Sequence, residues 1–260
     1  MALEHAPGPG ATSTTHSGLE PSGEHAQLRK ETFVSTLAHE LRQPLSAMLA
    51  AIDVVRRAPD LDTVRRVTDV MQRQVGQMNR VVEDLVDATR WARGKLTLRR
   101  RRVDLRDVIG DAVADATPAA ADSGLTLVVA DAREPLWAEV DPQRLLQVLS
   151  NLLRNALNNT ERGGRISVTA EGIESIIYVR VNDTGRGIEP DALPHIFELF
   201  SQVKPGEASG LGIGLSIARE IVALHGGLID ARSEGAGHGS EFIVMLPRVQ
   251  NPLLSSDIGG

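Results

Sequence analysis

The chain has 260 residues, enough for one or two domains with a sizeable core, and a formal net charge of −6. The acidic balance argues against general nucleic-acid binding, and the lack of cysteine excludes disulfides, cysteine-ligated metals and thiol nucleophiles. No apolar run approaches the ~20 residues that span a bilayer, and the N-terminus lacks a signal-peptide pattern. The sequence therefore predicts a soluble, cytoplasmic protein with no membrane span.

The N-terminal part of the chain predicts a helical hairpin. Residues 1–27 are rich in Gly, Pro, Ser and Thr, which is typical of a disordered tail. From Leu28 to about Ala58, apolar residues recur at steps of three and four, and a second helix with a regular heptad stripe from Leu61 to Thr89 runs to about Arg93. Because one hairpin cannot cover its own stripe, we expect two chains to pair as a four-helix bundle. Packing of the stripe onto the rest of the chain is the alternative.

The first helix carries a polar pair, His39 and Glu40, in its body. His39 is two residues from Leu37 and from Leu41, about 160–200° round the helix, so the pair is expected on the surface, away from the stripe. Glu40 could accept the Nδ1 proton of the imidazole and leave Nε2 as a nucleophilic lone pair. A plain exposed histidine is an equal alternative from the residues alone. Pro44, which costs about 3 kcal/mol inside a helix, would be justified by a functional bend beside His39.

The rest of the chain predicts a mixed α/β region. Four arginines at 99–102 are interpreted as a solvated connector rather than a nucleic-acid arm. The predicted order of helices and strands in this region indicates an α+β sandwich, with helices on one face of a mixed or largely antiparallel sheet. Helices are predicted near 104–121, 142–158, 190–198 and 212–225, and strands near 125–130, 136–140, 165–171, 175–182, 228–233 and 241–246.

Three motifs in this region suit ligand chemistry. Asn151 and Asn155 are one helical turn apart, and their amide oxygens suit a hard cation such as Mg²⁺ that also holds phosphate oxygens. Asp183 ends a strand, where a carboxylate can accept from an exocyclic amine. Glycines follow Asp183 and also precede the helix near 212–225, whose free N–H groups favour an anion. Each motif alone is weak, since asparagine pairs, Asx turns and glycine loops are common. The glycines are Gly185, Gly187, Gly210, Gly212 and Gly214.

In order and spacing, these motifs resemble those of the histidine kinases of two-component signalling over about residues 28–248. FVSTLAHELRQPL resembles the H box, NLLRNALNN the N box, NDTGRGI the G1 box, IFELFSQ the F box and GLGIGL the G2 box. GHGSEFIVMLP is similar to the usual final strand. The resemblance implies an α-helical hairpin that forms a dimeric four-helix bundle, followed by an α+β sandwich ATP-binding domain of the Bergerat fold.

The resemblance also implies a division of the chain. It gives a tail over 1–27, a dimerisation and histidine-phosphotransfer domain over 28–95, a linker over 96–103, a catalytic ATP-binding domain over 104–248 and a C-terminal tail over 249–260. His39 would attack the γ-phosphate of ATP with Glu40 orienting or deprotonating it, and the phosphoryl group would pass to an aspartate of a separate response regulator. Gln43 would align the water that hydrolyses the regulator's phospho-aspartate; a merely solvated Gln43 is the alternative.

Further roles follow from the resemblance alone, with ATP and Mg²⁺ as the implied ligands. Asn155 would coordinate Mg²⁺ with Asn151 in support, and Asp183 would bind the adenine amino group. Gly185 and Gly187 would shape the pocket, Gly210, Gly212 and Gly214 would line the phosphates, and Phe197 and Phe200 would pack at the base of the ATP lid.

Two positions depart from the family pattern. The lysine and aromatic that usually follow the second asparagine of the N box are replaced by Asn158 and Asn159. Lys204 in the short lid could supply the missing charge, or could be solvated. No sensor domain is visible, which leaves room for a separate sensor partner. Two alternatives stay open: a weakly autophosphorylating, phosphatase-biased or scaffold relative, and a Bergerat-fold ATPase or serine kinase that regulates a partner by binding.

Overall fold

The computed structural model describes residues 23–57, 60–92, 97–130, 132–199, 201 and 212–250. Two long helices come first, α1 (Gly23–Arg56) and α2 (Leu61–Ala92), and they pack against each other as the predicted hairpin. Helix α1 begins at Gly23, inside the segment predicted to be a tail, and continues through Pro44. In the described part of the chain, no helix has both the length and the apolar composition that a membrane span requires.

The second region contains the predicted mixture of helices and strands. The strands are β1 (Arg101–Asp104), β2 (Thr126–Ala130), β3 (Trp137–Val140), β4 (Arg165–Ile173), β5 (Ile176–Asp183), β6 (Leu228–Arg232) and β7 (Ser240–Pro247). The helices are α3 (Leu105–Ser123), α4 (Pro142–Asn159) and α5 (Gly214–Leu224), with a 3₁₀ turn at Leu193–His195.

Two predictions about this region need correction. The helix expected near 190–198 is only the 3₁₀ turn, because Pro194 lacks an N–H and a segment this short has few hydrogen bonds to offset that loss. The segment 96–103 was expected to be a linker, but β1 begins inside it at Arg101 and pairs antiparallel with β3. The final residues of that segment therefore belong to the α/β region.

The main sheet has five strands in the order β2-β4-β5-β7-β6. Strand β2 is parallel to β4 and the other neighbours are antiparallel, so the sheet is mixed as predicted, and β4 and β5 form the expected hairpin. Along β5, Ile177, Val179 and Val181 are buried while alternate residues are less so, as expected for a sheet with one covered face. Helices α3, α4 and α5 pack on that face around an aliphatic core.

A network of hydrogen bonds around Asp141 joins three elements at the start of α4. The Asp141 carboxylate caps the helix by accepting from the backbone N–H groups of Gln143 and Arg144, and it also accepts from the N–H of Arg99 at 2.8 Å. The Asp141 N–H donates to Nε2 of His225, just after α5, over 2.9 Å. His225 is 4% exposed, and its Nδ1 lies 2.7 Å from the Ile221 carbonyl oxygen, to which it donates as the neutral tautomer.

His225 predicts acid sensitivity of the α/β half of the molecule. Burial lowers the pKa of this imidazole below its ordinary value of 6.5, helped by the nearby positive charge of Arg100. Below about pH 6.5 the unfolded chain binds a proton that the folded chain resists, so this contribution to stability is complete above that pH and is lost as the pH falls.

Urea unfolding followed by circular dichroism at about pH 7.5 and about pH 5.5 tests this. The free energy of unfolding should fall more steeply with acid in the wild type than in His225→Gln, which cannot titrate. Equal pH dependence in the two proteins would contradict the assignment.

Candidate functional site

A cavity of about 830 Å³ lies between the helical hairpin and the α/β region. Helices α1 and α2 contribute Glu40 and Gln77, helix α4 contributes Asn151 and Asn155, and Gly214 opens α5 on the same wall. The cavity therefore collects residues from both halves of the chain, including several that the sequence analysis singled out.

Helix α4 supplies the most polar wall of the cavity. Its leucine-rich stripe is buried in the core, which turns the opposite face, with Asn151, Arg154 and Asn155, toward the cavity. Asn151 is 6% exposed; its Nδ2 donates to the Gly214 carbonyl oxygen at 3.0 Å, and its Oδ1 accepts from Nη2 of Arg154 at 2.7 Å. Asn151 thus ties α4 to the first turn of α5.

Asn155 lies one turn further along α4 and is held by the end of the same helix. The Asn159 side-chain Nδ2 donates to the Asn155 carbonyl oxygen at 2.7 Å and to its Oδ1 at 3.0 Å. An amide oxygen has two lone pairs, so the Oδ1 of Asn155 can accept this bond and still ligate a hard cation. Asn158, where the predicted family pattern has lysine, is exposed at the cavity.

The end of β5 provides a buried carboxylate behind the cavity wall. Asp183 is 6% exposed; its Oδ1 accepts from the Gly185 N–H at 2.8 Å and its Oδ2 accepts from the Ser240 hydroxyl at 2.5 Å. Ser240 itself lines the cavity. The two bonds fix the carboxylate, whose four lone-pair positions leave further acceptor capacity.

The glycines after Asp183 allow backbone segments to touch. A Cβ at Gly185 would collide with the carbonyl oxygen of Asn159, and one at Gly187 would collide with the carbonyl oxygen of Gly235. Gly187 also has φ of +72°, in the left-handed region that favours glycine. The structure therefore explains these two glycines by packing between protein segments, whether or not a ligand also approaches them.

The predicted glycine-rich loop is described only in part. Gly212 has φ of +66°, Gly214 is the first residue of α5, and both line the cavity. Phe197 is buried and makes an edge-to-face contact with Phe242, with ring centroids 6.3 Å apart. Three candidates lie outside the described residues: Phe200, Lys204 and Gly210.

On the hairpin, only one residue of the predicted surface pair lies on the surface. His39 is exposed, as expected, and its Nε2 lies 2.9 Å from Nε2 of Gln43. Glu40 is not on the surface with it: only 5% of Glu40 is exposed, and it lines the cavity. Consecutive helical residues point about 100° apart, so when α1 rests on the α/β region Glu40 faces inward while His39 faces solvent.

Sequence reasoning missed a polar contact between the hairpin and the α/β region, which adds to the packing of Val81 on the core. Asp87 of α2 is 6% exposed and accepts from Nη1 of Arg144 at 2.6 Å and from Nε2 of Gln147 at 2.8 Å. Both donors lie near the start of α4. The partners are far apart in sequence, and nothing in the local pattern marks Asp87 among the many acidic residues. Ser240 was missed for the same reason; it lies one residue before the strand predicted near 241–246 and is the first residue of β7.

Two family models match the chain. Residues 29–94 match the His Kinase A (phospho-acceptor) domain, and residues 140–250 match the histidine kinase-, DNA gyrase B-, and HSP90-like ATPase. Together the matches cover more than half of the chain. They define the class of each part: a phospho-acceptor hairpin followed by an ATPase domain.

Similar proteins agree with this class. Sensor histidine kinase RppB of Synechocystis sp. is 30% identical over 236 residues, covering 88% of this chain and 51% of RppB. Sensor histidine kinase MtrB of Mycobacterium tuberculosis is 33% identical, covering 84% of this chain and 39% of MtrB. The chain belongs to the sensor histidine kinase family, and it spans about half or less of the length of these relatives.

Solved structures show the same architecture. Full-length ShkA in complex with AMPPNP aligns with a TM-score of 0.61 and 29% identity over 84% of this chain and 46% of ShkA. The catalytic domain of histidine kinase ThkA aligns with a TM-score of 0.51 and 27% identity over 58% of this chain and 96% of that domain. The predicted fold class, a helical region followed by an α/β ATPase domain, is confirmed.

The close packing at Gly185 predicts a large penalty for a single methyl group. Gly185→Ala should destabilise the ATPase domain by about 1–3 kcal/mol or more, because the methyl group meets the fixed Asn159 carbonyl. Gly110→Ala is the matched control: this glycine lies in α3 with nothing within 4 Å of its added Cβ, so the change should stabilise by about 0.5–1 kcal/mol. Urea unfolding compares the two, and similar midpoints would contradict the packing argument.

Proposed function

We propose that this chain is an ATP-dependent protein-histidine kinase that autophosphorylates His39 and passes the phosphoryl group to an aspartate of a separate response regulator. One observation carries the proposal most strongly. In the segment that matches the phospho-acceptor domain, an exposed imidazole has its Nε2 in a hydrogen bond with the amide nitrogen of Gln43. The cavity of the matching ATPase segment lies against the same helix through Glu40.

The chemistry at His39 follows from its tautomer. An amide N–H of Gln43 donates, so Nε2 of His39 is the acceptor and the ring proton sits on Nδ1. The Nε2 lone pair would form the bond to the γ-phosphorus while the bond to the β–γ bridging oxygen breaks and ADP leaves. We assign the adjacent Glu40 as the carboxylate that orients the ring or takes the Nδ1 proton, acting from the cavity side of α1.

The nucleotide would be held by residues from three elements. We assign the adenine amino group to Asp183, whose carboxylate is fixed by Ser240. Asn155, supported by Asn151, would hold Mg²⁺, which neutralises phosphate charge and is commonly bound by few protein oxygens together with substrate phosphates. Gly185 and Gly187 would shape the base pocket. The phosphates would lie at the start of α5, beside Gly212 and Gly214. We also assign phosphate binding to Lys204 and Gly210, which lie outside the described residues.

Transfer of the phosphoryl group from ATP to His39 requires a different placement of the hairpin and the ATPase domain from the one in this structure. His39 faces solvent whereas the cavity is lined by Glu40 on the adjacent face of α1. The histidine and the γ-phosphate meet either after the ATPase domain leaves this docked position or when the histidine belongs to a second protomer. The docked arrangement is therefore assigned to a state in which His39 is available to a regulator rather than to ATP.

Gln43 supports a second reaction at the same site. Its amide reaches the attacking nitrogen of His39, one helical turn away, and could equally position a water on the phospho-aspartate of a docked regulator. We therefore assign response-regulator dephosphorylation to this chain as well, with Gln43 as the positioning residue. Autophosphorylation would consume ATP, whereas this hydrolysis would consume only water, and we assign both reactions to the cytoplasm.

The hairpin would work as a homodimer. In the single chain, α2 leaves apolar members of its heptad stripe uncovered: Leu61 is 73% exposed, Val75 46% and Val82 52%. Helix α1 adds exposed Leu45 and Ile52. Exposed apolar surface arranged along a hairpin is best covered by a second hairpin, which gives the four-helix bundle.

His39 gives the direct test of the kinase proposal. Incubated with Mg²⁺ and γ-labelled ATP, the wild type should acquire phosphate that is lost in acid, and His39→Gln should acquire none while still binding ATP. His195→Gln is the control, since His195 is exposed outside the phospho-acceptor segment. Full labelling of His39→Gln would place the phosphate elsewhere, and an unlabelled wild type that still binds ATP would favour a scaffold role.

The exposed stripe predicts which substitutions prevent dimerisation. Val75→Asp with Val82→Asp should convert the dimer to monomer, because burying unpaired charge costs several kcal/mol. Gln72→Asp with Asn79→Asp is the matched control: these residues are exposed, outside the stripe and at the same spacing. Light scattering at micromolar concentration gives the mass. A monomeric wild type, or a control that dissociates equally, would count against the bundle.

A further inference from the structure

Arg154 occupies a distinctive place in the cavity wall. It follows Asn151 by three residues on α4, is half-buried, and directs Nη2 to Asn151 Oδ1 at 2.7 Å. The same Nη2 lies 3.2 Å from where a Cβ of Gly214 would stand, so the guanidinium rests against the first residue of α5. Arg154 therefore places a positive charge where the free N–H groups of that helix begin.

The surroundings make this charge chemically specific. Helix α5 has 11 residues, and its first N–H groups have no partner within the helix. A guanidinium is always protonated and presents its N–H groups in a fork that matches phosphate oxygens. Within the described residues, the cationic side chains that line the cavity are Arg154 and Arg186, and Arg154 contacts the start of α5.

A cation at this point matters because the neighbouring position lacks one. In the family pattern a lysine stands one turn after Arg154, but here that residue is Asn158, which is neutral. Residues 154 and 158 are four apart and share a helix face. A long side chain at 154 can thus bring a charge to the region that a lysine at 158 would serve.

We propose that Arg154 is the residue of α4 that binds the terminal phosphates of the nucleoside triphosphate and replaces the lysine missing at position 158. This inference rests on the proposed kinase function, and it concerns a residue to which the resemblance assigns no role. The bond from Nη2 to Asn151 orients the guanidinium before the nucleotide arrives. Arg154 then holds phosphate charge while Asn155 holds the metal ion on the same helix.

A purely structural role for Arg154 makes a different prediction. If Arg154 only positions Asn151 and joins α4 to α5, its loss would affect the whole cavity, and a positive charge added elsewhere would not restore binding. If Arg154 acts through its charge on phosphate, a lysine at 158 should substitute for it. The two roles are therefore distinguished by comparing ligands with and without phosphates, and by testing whether a lysine at position 158 restores binding.

The experiment compares four proteins: wild type, Arg154→Gln, Arg154→Gln with Asn158→Lys, and Arg165→Gln as the matched control, since Arg165 is an exposed residue at the start of β4. Calorimetry in Mg²⁺ measures the affinity for ATP and for adenosine, which has no phosphate. Arg154→Gln should weaken ATP binding by about 10- to 100-fold and leave adenosine binding unchanged, as expected for the loss of charge-assisted hydrogen bonds. Adding Asn158→Lys should recover most of the ATP affinity, and Arg165→Gln should bind like the wild type.

Three results would overturn the inference: unchanged ATP affinity in Arg154→Gln, equal loss of ATP and adenosine binding, or no recovery with Asn158→Lys. Equal urea midpoints across the four proteins establish that folding is intact. Failure of the kinase proposal itself is distinct, because it would appear in the wild type as absence of ATP binding or of acid-labile phosphate on His39.

Discussion

The site depends on a close approach of three backbone segments. The end of α4, the turn after β5 and the turn before β7 are joined by hydrogen bonds from the Arg186 N–H to the Asn159 carbonyl at 2.9 Å and from the Gly239 N–H to the Gly185 carbonyl at 3.0 Å. Glycine is required at both Gly185 and Gly239, where a Cβ would overlap a carbonyl oxygen of the neighbouring segment. This contact sets how far Asn155, one turn before the end of α4, lies from the Asp183 carboxylate. Moving any one of the three segments would therefore change the distance between the two ends of the proposed nucleotide site.

The hairpin completes the cavity from the other side. Its docking rests on Asp87, a carboxylate that is almost fully buried and receives hydrogen bonds from Arg144 and Gln147. The cost of removing these charges from water offsets much of their attraction, but loss of either partner would leave an uncompensated buried charge. The proposed kinase cycle, in which the ATPase domain leaves this docked position, would require this contact to break and form again.

Local periodicity was enough to predict most elements of the fold. The alternation in ISVTAEG and IIYVRVND identified β4 and β5, and the leucine spacing of α4 identified both its buried face and the polar face with Asn151 and Asn155. Gly185 and Gly187 stood out because glycine after a strand is a local signal. The exposure of His39 also followed from helix geometry.

The errors came from interactions between distant segments. Glu40 has the same helical environment as its neighbours until the α/β region covers it, so its burial could not be inferred from α1 alone. Asp87 with Arg144, and Asp183 with Ser240, join residues more than fifty positions apart, and neither pair has a sequence pattern. The contact of Arg154 with Asn151 and with the start of α5 was also missed, because α5 lies about sixty residues further along the chain.

The cap of α4 has a mechanical consequence. The start of α4 is bonded to three other parts of the chain. Arg144 and Gln147 bind Asp87 of the hairpin, and Asp141 accepts from the N–H of Arg99 in the connecting segment. The N–H of Asp141 also donates to His225 at the end of α5. A helix is stiff along its axis, and Asn151 lies only about 15 Å from Asp141 at 1.5 Å per residue. A displacement of α2 or of the connecting segment would therefore be transmitted along α4 to Asn151, on the side of the cavity where we propose that the phosphates bind. The proposed adenine side is anchored separately, to β5 and β7, so a movement of the hairpin would shift the proposed phosphate side relative to it.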